Sequence, residues 1–136
     1  CGGCPCAALC VARRENRIDA LPTRRARRAA PQRSLRVLVL LSRGRVLLVR
    51  RPPQGIWGGL LSLPELPDGK LPRRYAGATP LPALRHAFTH LRLDIQPFLA
   101  KVSRRDTAPA GLWLSLRELD AAPLPAPIRK ILRRLI

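Results

Sequence analysis

Residues 35–66, LRVLVLLSRGRVLLVRRPPQGIWGGLLSLPEL, decide the fold. Leu35 to Leu41 is a β-rich apolar run, Ser42-Arg43-Gly44-Arg45 has turn chemistry, and Val46 to Val49 is a second run, so the stretch opens as a β-hairpin. From Arg51 to Leu66 the pattern changes to a Pro/Gly-rich loop in which Gly55, Gly58 and Gly59 allow tight backbone turns around Trp57. Outward from there, residues 67–83 are again Pro-rich and show no helical pattern. Strand signals resume over Ala87 to Leu99 and over Leu112 to Leu116, the latter centred on Trp113. At the end of the chain Ile128, Ile131, Leu132 and Leu135 follow the i, i+3, i+4, i+7 stripe of a helix, with Arg129, Lys130, Arg133 and Arg134 on its other face. The sum is an α+β domain starting near Ser34, mostly β, closed by at least one helix and without internal repeats.

A chain of 136 residues with 46% hydrophobic content suits one such domain plus a modest extension. It begins at Cys1 and contains no methionine, and so reads as an internal part of a longer protein. No apolar run approaches the roughly 18 residues of a membrane span, and the cysteine- and arginine-rich front lacks the apolar centre of a signal peptide. A soluble, intracellular monomer with no membrane contact is expected. Charge is the strongest bulk signal: 26 Lys+Arg against 8 Asp+Glu give +18. All but three of the basic residues are arginine. A G- and C-rich genome accounts for arginine in place of lysine but not for the excess of base over acid, and a polyanion is the expected partner. Residues 13–33, rich in arginine and carrying Pro22 and Pro31, read as an extended basic linker.

The four cysteines, Cys1, Cys4, Cys6 and Cys10, fall within ten residues, too close together for a structural disulfide framework. Metal or cluster ligation is the better reading. A zinc ribbon needs two C-x2-C knuckles well apart, which this chain lacks. Cys1, Cys4 and Cys10 instead make C-x2-C-x5-C, a short wrap around one compact cluster; free thiols at a frayed terminus remain the alternative.

CGGCPCAALCVA (1–12) resembles the last three ligands of the [4Fe–4S] loop of MutY- and endonuclease III-type glycosylases, spaced C-x6-C-x2-C-x5-C. The resemblance makes Cys1, Cys4 and Cys10 ligands, Cys6 a bystander, and places the first ligand upstream of Cys1, so the cluster is not expected to be intact in this chain alone. RRPPQGIWGGLLSLPEL (50–66), LRHAFTHLRLDI (84–95) and LPAPIRKIL (124–132) resemble, in order, three signature stretches of the C-terminal domain of MutY-type adenine DNA glycosylases. That domain is similar in fold to the Nudix pyrophosphohydrolases, a mixed β-sheet flanked by helices. In its family it recognises 8-oxoguanine in DNA while a separate helix-hairpin-helix domain removes the mispaired adenine. The resemblance thus implies three zones: a cluster-loop remnant at 1–12, the basic linker at 13–33 and a Nudix-like recognition domain at 34–136. It implies double-stranded DNA carrying 8-oxoguanine:adenine and the family's N-terminal domain as partners. It also implies a place in the bacterial cytoplasm, on the nucleoid.

Hydrolase chemistry can be tested on the residues. A Nudix box, G-x5-E-x7-R-E followed by a Glu pair, clusters carboxylates to hold magnesium against a diphosphate. Gly59, Glu65 and Arg73 fit its first three positions, but the metal positions then fall on Arg74, Gly77 and Ala78. No carboxylate lies between Asp68 and Asp94. Nor does the chain match the carboxylates that excise adenine in the family, so it is expected to be inactive alone, as part of a parent glycosylase. The reading motif by resemblance is Phe88-Thr89-His90. Oxidation of guanine turns N7 from an acceptor into an N–H donor and adds a carbonyl at C8. The Thr89 hydroxyl can accept from that N–H, Phe88 offers an aromatic face or wedge, and His90 a donor to base or phosphate. Otherwise these three are ordinary strand residues, and Trp57 and Trp113 are core anchors. Two rivals remain, a divergent Nudix hydrolase of oxidised nucleotides and a generic basic nucleic-acid-binding domain.

Overall fold

Val37, Leu38, Val39 and Leu40 are all buried, so the strand that carries them has core on both faces. This is why its sequence is apolar at every position and not at alternate ones. The computed structural model describes residues 1–23, 29–66, 68–103 and 110–136. In chain order its main elements are α1 (Val11–Arg14), β1 (Gln32–Ser42), β2 (Arg45–Arg50), β3 (Leu61–Ser62), β4 (Thr79–Pro80), β5 (Leu84–Ala87), β6 (Arg92–Lys101), β7 (Leu112–Ser115) and α2 (Ala126–Arg133).

The strands form one mixed sheet in the order β3-β2-β1-β6-β4, with β5 also on β6 and β7 on β2. Its spine is the parallel pair β1 and β6, in register from Gln32 opposite Arg92 to Leu41 opposite Lys101. The hairpin from β1 to β2 turns through Arg43 (φ 47°) and Gly44 (φ 71°), both left-handed as a two-residue turn matched to strand twist requires.

One face of β1 presents Val37 and Val39 to Leu93, Ile95 and the inner face of α2, where Ile128, Ile131 and Leu132 are buried. Burying each of these helix side chains is worth roughly 1.5–3 kcal/mol. The other face packs Leu38 and Leu40 on Leu47, Leu66 and Tyr75. The helical stripe read from the sequence is therefore the face that closes the first core. The opposite face of α2 is not wholly solvated. Arg129 donates to the carbonyls of Leu119, Asp120 and Ala122 at 2.8–2.9 Å and so ties the helix to the turn before it.

Two readings need revision. The run Ala87 to Leu99 is not one strand: β5 ends at Ala87 and β6 begins at Arg92, because the chain reverses between them. The segment 13–33, read as an extended linker, is not extended throughout: α1 crosses its start, a 3-10 turn lies at Ile18–Ala20, and its last residues, Gln32 and Arg33, already belong to β1. Arg24, Arg25, Arg27 and Arg28 lie outside the described residues. Between β3 and β4 the chain forms one 3-10 turn, Arg73–Tyr75, and no α-helix among the described residues. No helix among the described residues is long and apolar enough to cross a membrane.

Candidate nucleic-acid interface

The reversal between β5 and β6 places Phe88, Thr89 and His90 at the tip of a hairpin. The Phe88 N–H donates to the Leu91 carbonyl at 2.7 Å and closes the turn. Thr89 and His90 are exposed, while Phe88 is half-buried. The sheet register thereby separates their roles: two side chains are offered outward and the third anchors the turn.

Phe88 sits in an aromatic cluster. His86 meets it edge-on, with ring centroids 4.7 Å apart and planes at 89°, Trp57 lies 6.0 Å away, and the His90 ring is at 5.9 Å. Trp57 is also 6.4 Å from His86. Each such aromatic pair contributes about 0.5–1.5 kcal/mol beyond area burial. The hairpin tip thus rests on the Trp57 loop, which lies between β2 and β3 in the sequence. Trp57 and Trp113, read as core anchors, are both half-buried and pack on the margins of the two cores.

Trp57 adopts φ 59°, a left-handed backbone that a bulky residue occupies only at a cost of about 1–3 kcal/mol and only where its surroundings impose it. Here they do. The Arg50 guanidinium donates to the Gly59 carbonyl at 2.7 Å, Arg51 Nε donates to the Ile56 carbonyl at 2.8 Å, and the Gly59 N–H reaches the Pro52 carbonyl at 3.1 Å. A Cβ on Gly58 would sit 2.2 Å from the Pro53 carbonyl oxygen, so the turn closes only with glycine there. Arg51 also forms an ion pair with Glu65. The glycines flanking Trp57 announce a tight loop in the sequence, but nothing local shows that the loop supports residues 86–90.

The surroundings of the tip are cationic. Arg85 donates to Asp94 at 2.9 Å across the hairpin, and Gln32 donates to the same carboxylate. These hydrogen bonds, the Arg85 bond first, hold the Asp94 carboxyl below its ordinary range. Arg33 and Arg92 stand exposed nearby on β1 and β6.

The Nudix-box positions are divided: Gly59 and Glu65 belong with the Trp57 loop, whereas the positions that would carry the metal lie elsewhere. Glu65 is engaged with Arg51. Arg74, Gly77 and Ala78 line a cleft of about 390 Å³ with Tyr75 and Lys101, and no carboxylate among the described residues lines it. Lys101 ends β6, whose ten residues span about 30 Å, so this cleft and the hairpin tip are at opposite ends of the strand. A magnesium diphosphate site needs several carboxylate oxygens, and this cleft offers cations instead.

The front of the chain is a run of turns, closed by bonds such as Cys4 N–H to the Cys1 carbonyl at 3.2 Å. Cys1, Cys4 and Cys6 are exposed and Cys10 is half-buried. Thiolates are the right donors for an iron–sulfur cluster, but no three Cys, His, Asp or Glu side chains among the described residues are gathered to hold a metal.

Comparison with known proteins agrees with this architecture. Residues 36–134 match the NUDIX domain. Among solved structures, the C-terminal domain of mouse MUTYH, in a crystal structure of its complex with human PCNA, is similar at TM-score 0.55 and 23% identity, covering 75% of this chain and 86% of that one. The MutT protein of Methanosarcina mazei is similar at TM-score 0.59 and 18% identity, covering 79% and 95%. A MutT NUDIX hydrolase of Burkholderia pseudomallei is similar at TM-score 0.52 and 22% identity, covering 77% and 98%. At these identities the likeness is one of fold.

Proposed function

This chain belongs to the NUDIX domain family, and from that premise we propose that it uses the fold to read an oxidised base in DNA and not to hydrolyse a nucleotide. The observation that carries the reading is the hairpin tip, where Thr89 and His90 are exposed above a half-buried Phe88 on a strongly cationic chain. Similarity of fold to the C-terminal domain of mouse MUTYH supports a role in repair. The cation-lined cleft at the degenerate Nudix-box positions weighs against hydrolysis.

In this reading arginines grip the phosphates without regard to sequence, and the tip tests the base opposite the target adenine. Guanine presents a bare N7, whereas 8-oxoguanine presents N7–H with a carbonyl beside it. The Thr89 hydroxyl, its own proton given to water or phosphate, accepts from that N–H and finds no donor on the unoxidised base, whose bare N7 could pair only with a free O–H. His90 donates to base or phosphate, and the exposed part of the Phe88 ring abuts the adjacent base step. Excision of adenine belongs to a partner domain of the glycosylase type, because no carboxylates for it are recognised in this chain.

The test is affinity for an 8-oxoguanine:adenine duplex against a guanine:adenine duplex over a range of salt. A lesion reader gives parallel salt plots, with slopes near 0.9 per phosphate contacted, separated by a constant preference for the damaged duplex. Coincident plots refute the reading in favour of a generic polyanion binder.

A further inference from the structure

Strand β6 runs past its neighbour on one side. β4 begins at Thr79, opposite Leu99, so Lys101 has β1 on one side and no strand among the described residues on the other. The Val102 N–H donates to the Leu41 carbonyl on β1 at 2.8 Å. Successive main-chain groups of a strand point to opposite sides, so the N–H of Lys101 points away from β1, toward the uncovered edge. The cleft of about 390 Å³ that Lys101 lines with Arg74, Gly77 and Thr79 lies along this edge.

Its polar side chains are donors. Lys101, Arg74 and Thr79 are exposed, and no carboxylate among the described residues shares the lining. The Arg74 guanidinium carbon lies 5.0 Å from the centroid of the Tyr75 ring, and a guanidinium held over a ring face directs its N–H groups sideways, in its own plane. The Tyr75 hydroxyl is buried and has no partner among the described residues, which adds a donor to a residue of the same lining. A Cβ on Gly77 would meet nothing within 4 Å, so the backbone there is open to a ligand. Main-chain N–H groups at a concave sheet edge, reinforced by cations, receive anions, and the planar fork of arginine matches a pair of phosphate oxygens. The volume falls within the range of small-molecule pockets and exceeds what a single phosphate fills.

We propose that this cleft binds phosphate groups directly, without a metal ion, through the Lys101 ammonium and main-chain N–H, the Arg74 guanidinium and the Thr79 hydroxyl. With no carboxylate in the described lining to hold magnesium, the cations themselves pair with the oxyanions. The ligand is a phosphate of the DNA backbone or a free polyphosphate, which present the same oxygens. The inference does not depend on lesion reading: the cleft and the hairpin tip stand at opposite ends of β6, so either can fail alone.

The full 136-residue chain is titrated with inorganic pyrophosphate in the presence of EDTA, and backbone amide shifts are recorded. Saturable shifts are expected at residues 77–79 and 101–102. Added magnesium is expected to weaken binding, because it competes with the cleft for the same oxygens. Lys101→Ala and Arg74→Ala are each expected to weaken pyrophosphate about fivefold, the worth of one ion pair open to solvent, whereas Lys130→Ala, on α2, leaves it unchanged. An undamaged duplex then identifies the source. If the DNA backbone fills the cleft, pyrophosphate competes with the duplex and Lys101→Ala lowers the salt slope by about 0.9; if a free polyphosphate does, duplex affinity and slope are unaltered. Binding that requires magnesium, shifts that spread over the basic surface without saturating, or Lys101→Ala with undiminished pyrophosphate affinity overturns the proposal.

Discussion

Replacing Thr89 by valine removes one hydroxyl and keeps the shape of the side chain. The Thr89 side chain is exposed, and the turn that carries it is closed by the backbone bond from Phe88 to Leu91, which does not use the hydroxyl. Folding stability should therefore move by no more than about 0.5 kcal/mol. What is lost is the acceptor for N7–H, an edge contact worth about 1–3 kcal/mol, or roughly five- to 150-fold in affinity for the damaged duplex. Affinity for the undamaged duplex should stay the same, because its N7 has no proton to give and the hydroxyl's own proton is engaged by water or phosphate. The salt slope should also stay the same on both, since no phosphate contact is removed. Fluorescence anisotropy with both duplexes measures these terms, and a third duplex carrying 8-oxo-7-deazaguanine isolates the proton. That base keeps the C8 carbonyl but has carbon at position 7, so wild type and Thr89→Val should bind it equally. A variant that keeps its full preference for 8-oxoguanine, or loses affinity equally for all three duplexes, would refute the assignment of Thr89.

Three further outcomes are expected. Arg129→Met removes the three guanidinium bonds to the carbonyls of Leu119, Asp120 and Ala122; two of these are partly buried, so thermal unfolding should show a loss of about 2–4 kcal/mol. Asp94 and Asp120 are held below their ordinary value of 3.8, chiefly by the bonds from Arg85 and Arg133. Depressed folded-state values mean that the unfolded chain takes up protons first on acidification, so their contribution is present above pH 3.8 and is lost as pH falls through the folded-state values. Asp94→Asn with Asp120→Asn should flatten the acid limb of a plot of melting temperature against pH, and an unaltered limb would contradict the pairing. Incubation with magnesium and dGTP or its 8-oxo form should release no pyrophosphate, because Arg74, Gly77 and Ala78 stand where the metal carboxylates belong; turnover abolished by Arg74→Ala would contradict this.

The parts of the fold legible from the sequence were those whose signal is local. The apolar run of β1, the Arg43-Gly44 turn and the 3.6-residue stripe of α2 each specify their element through backbone geometry and burial. The break between β5 and β6 was not legible, because HAFTHLR contains no glycine, proline or asparagine to mark a turn and its β-favouring residues read as one strand. Only the pairing of His86 with Leu93 and Ala87 with Arg92 reverses the chain there, and pairing is a tertiary fact. The two-residue strands β3 and β4 are too short to carry a period. At the candidate site the motif Phe88-Thr89-His90 was visible as residues, but its support was not: Trp57 is far away in sequence, and its left-handed backbone depends on Arg50, Arg51 and Gly58 acting together. Arg129 looked like one more solvated cation on a basic helix, because a guanidinium that caps three carbonyls has the same sequence signature as one in water.

Backbone amide shifts recorded with damaged and undamaged duplexes of otherwise identical sequence locate the lesion contact most directly. The difference between the two complexes should be confined to Phe88–Leu91 and the adjoining His86 and Trp57, while the remaining perturbations coincide. Lesion-dependent shifts that fall instead on Arg74, Tyr75 and Lys101, at the far end of β6, would place recognition in the degenerate Nudix cleft and contradict the account.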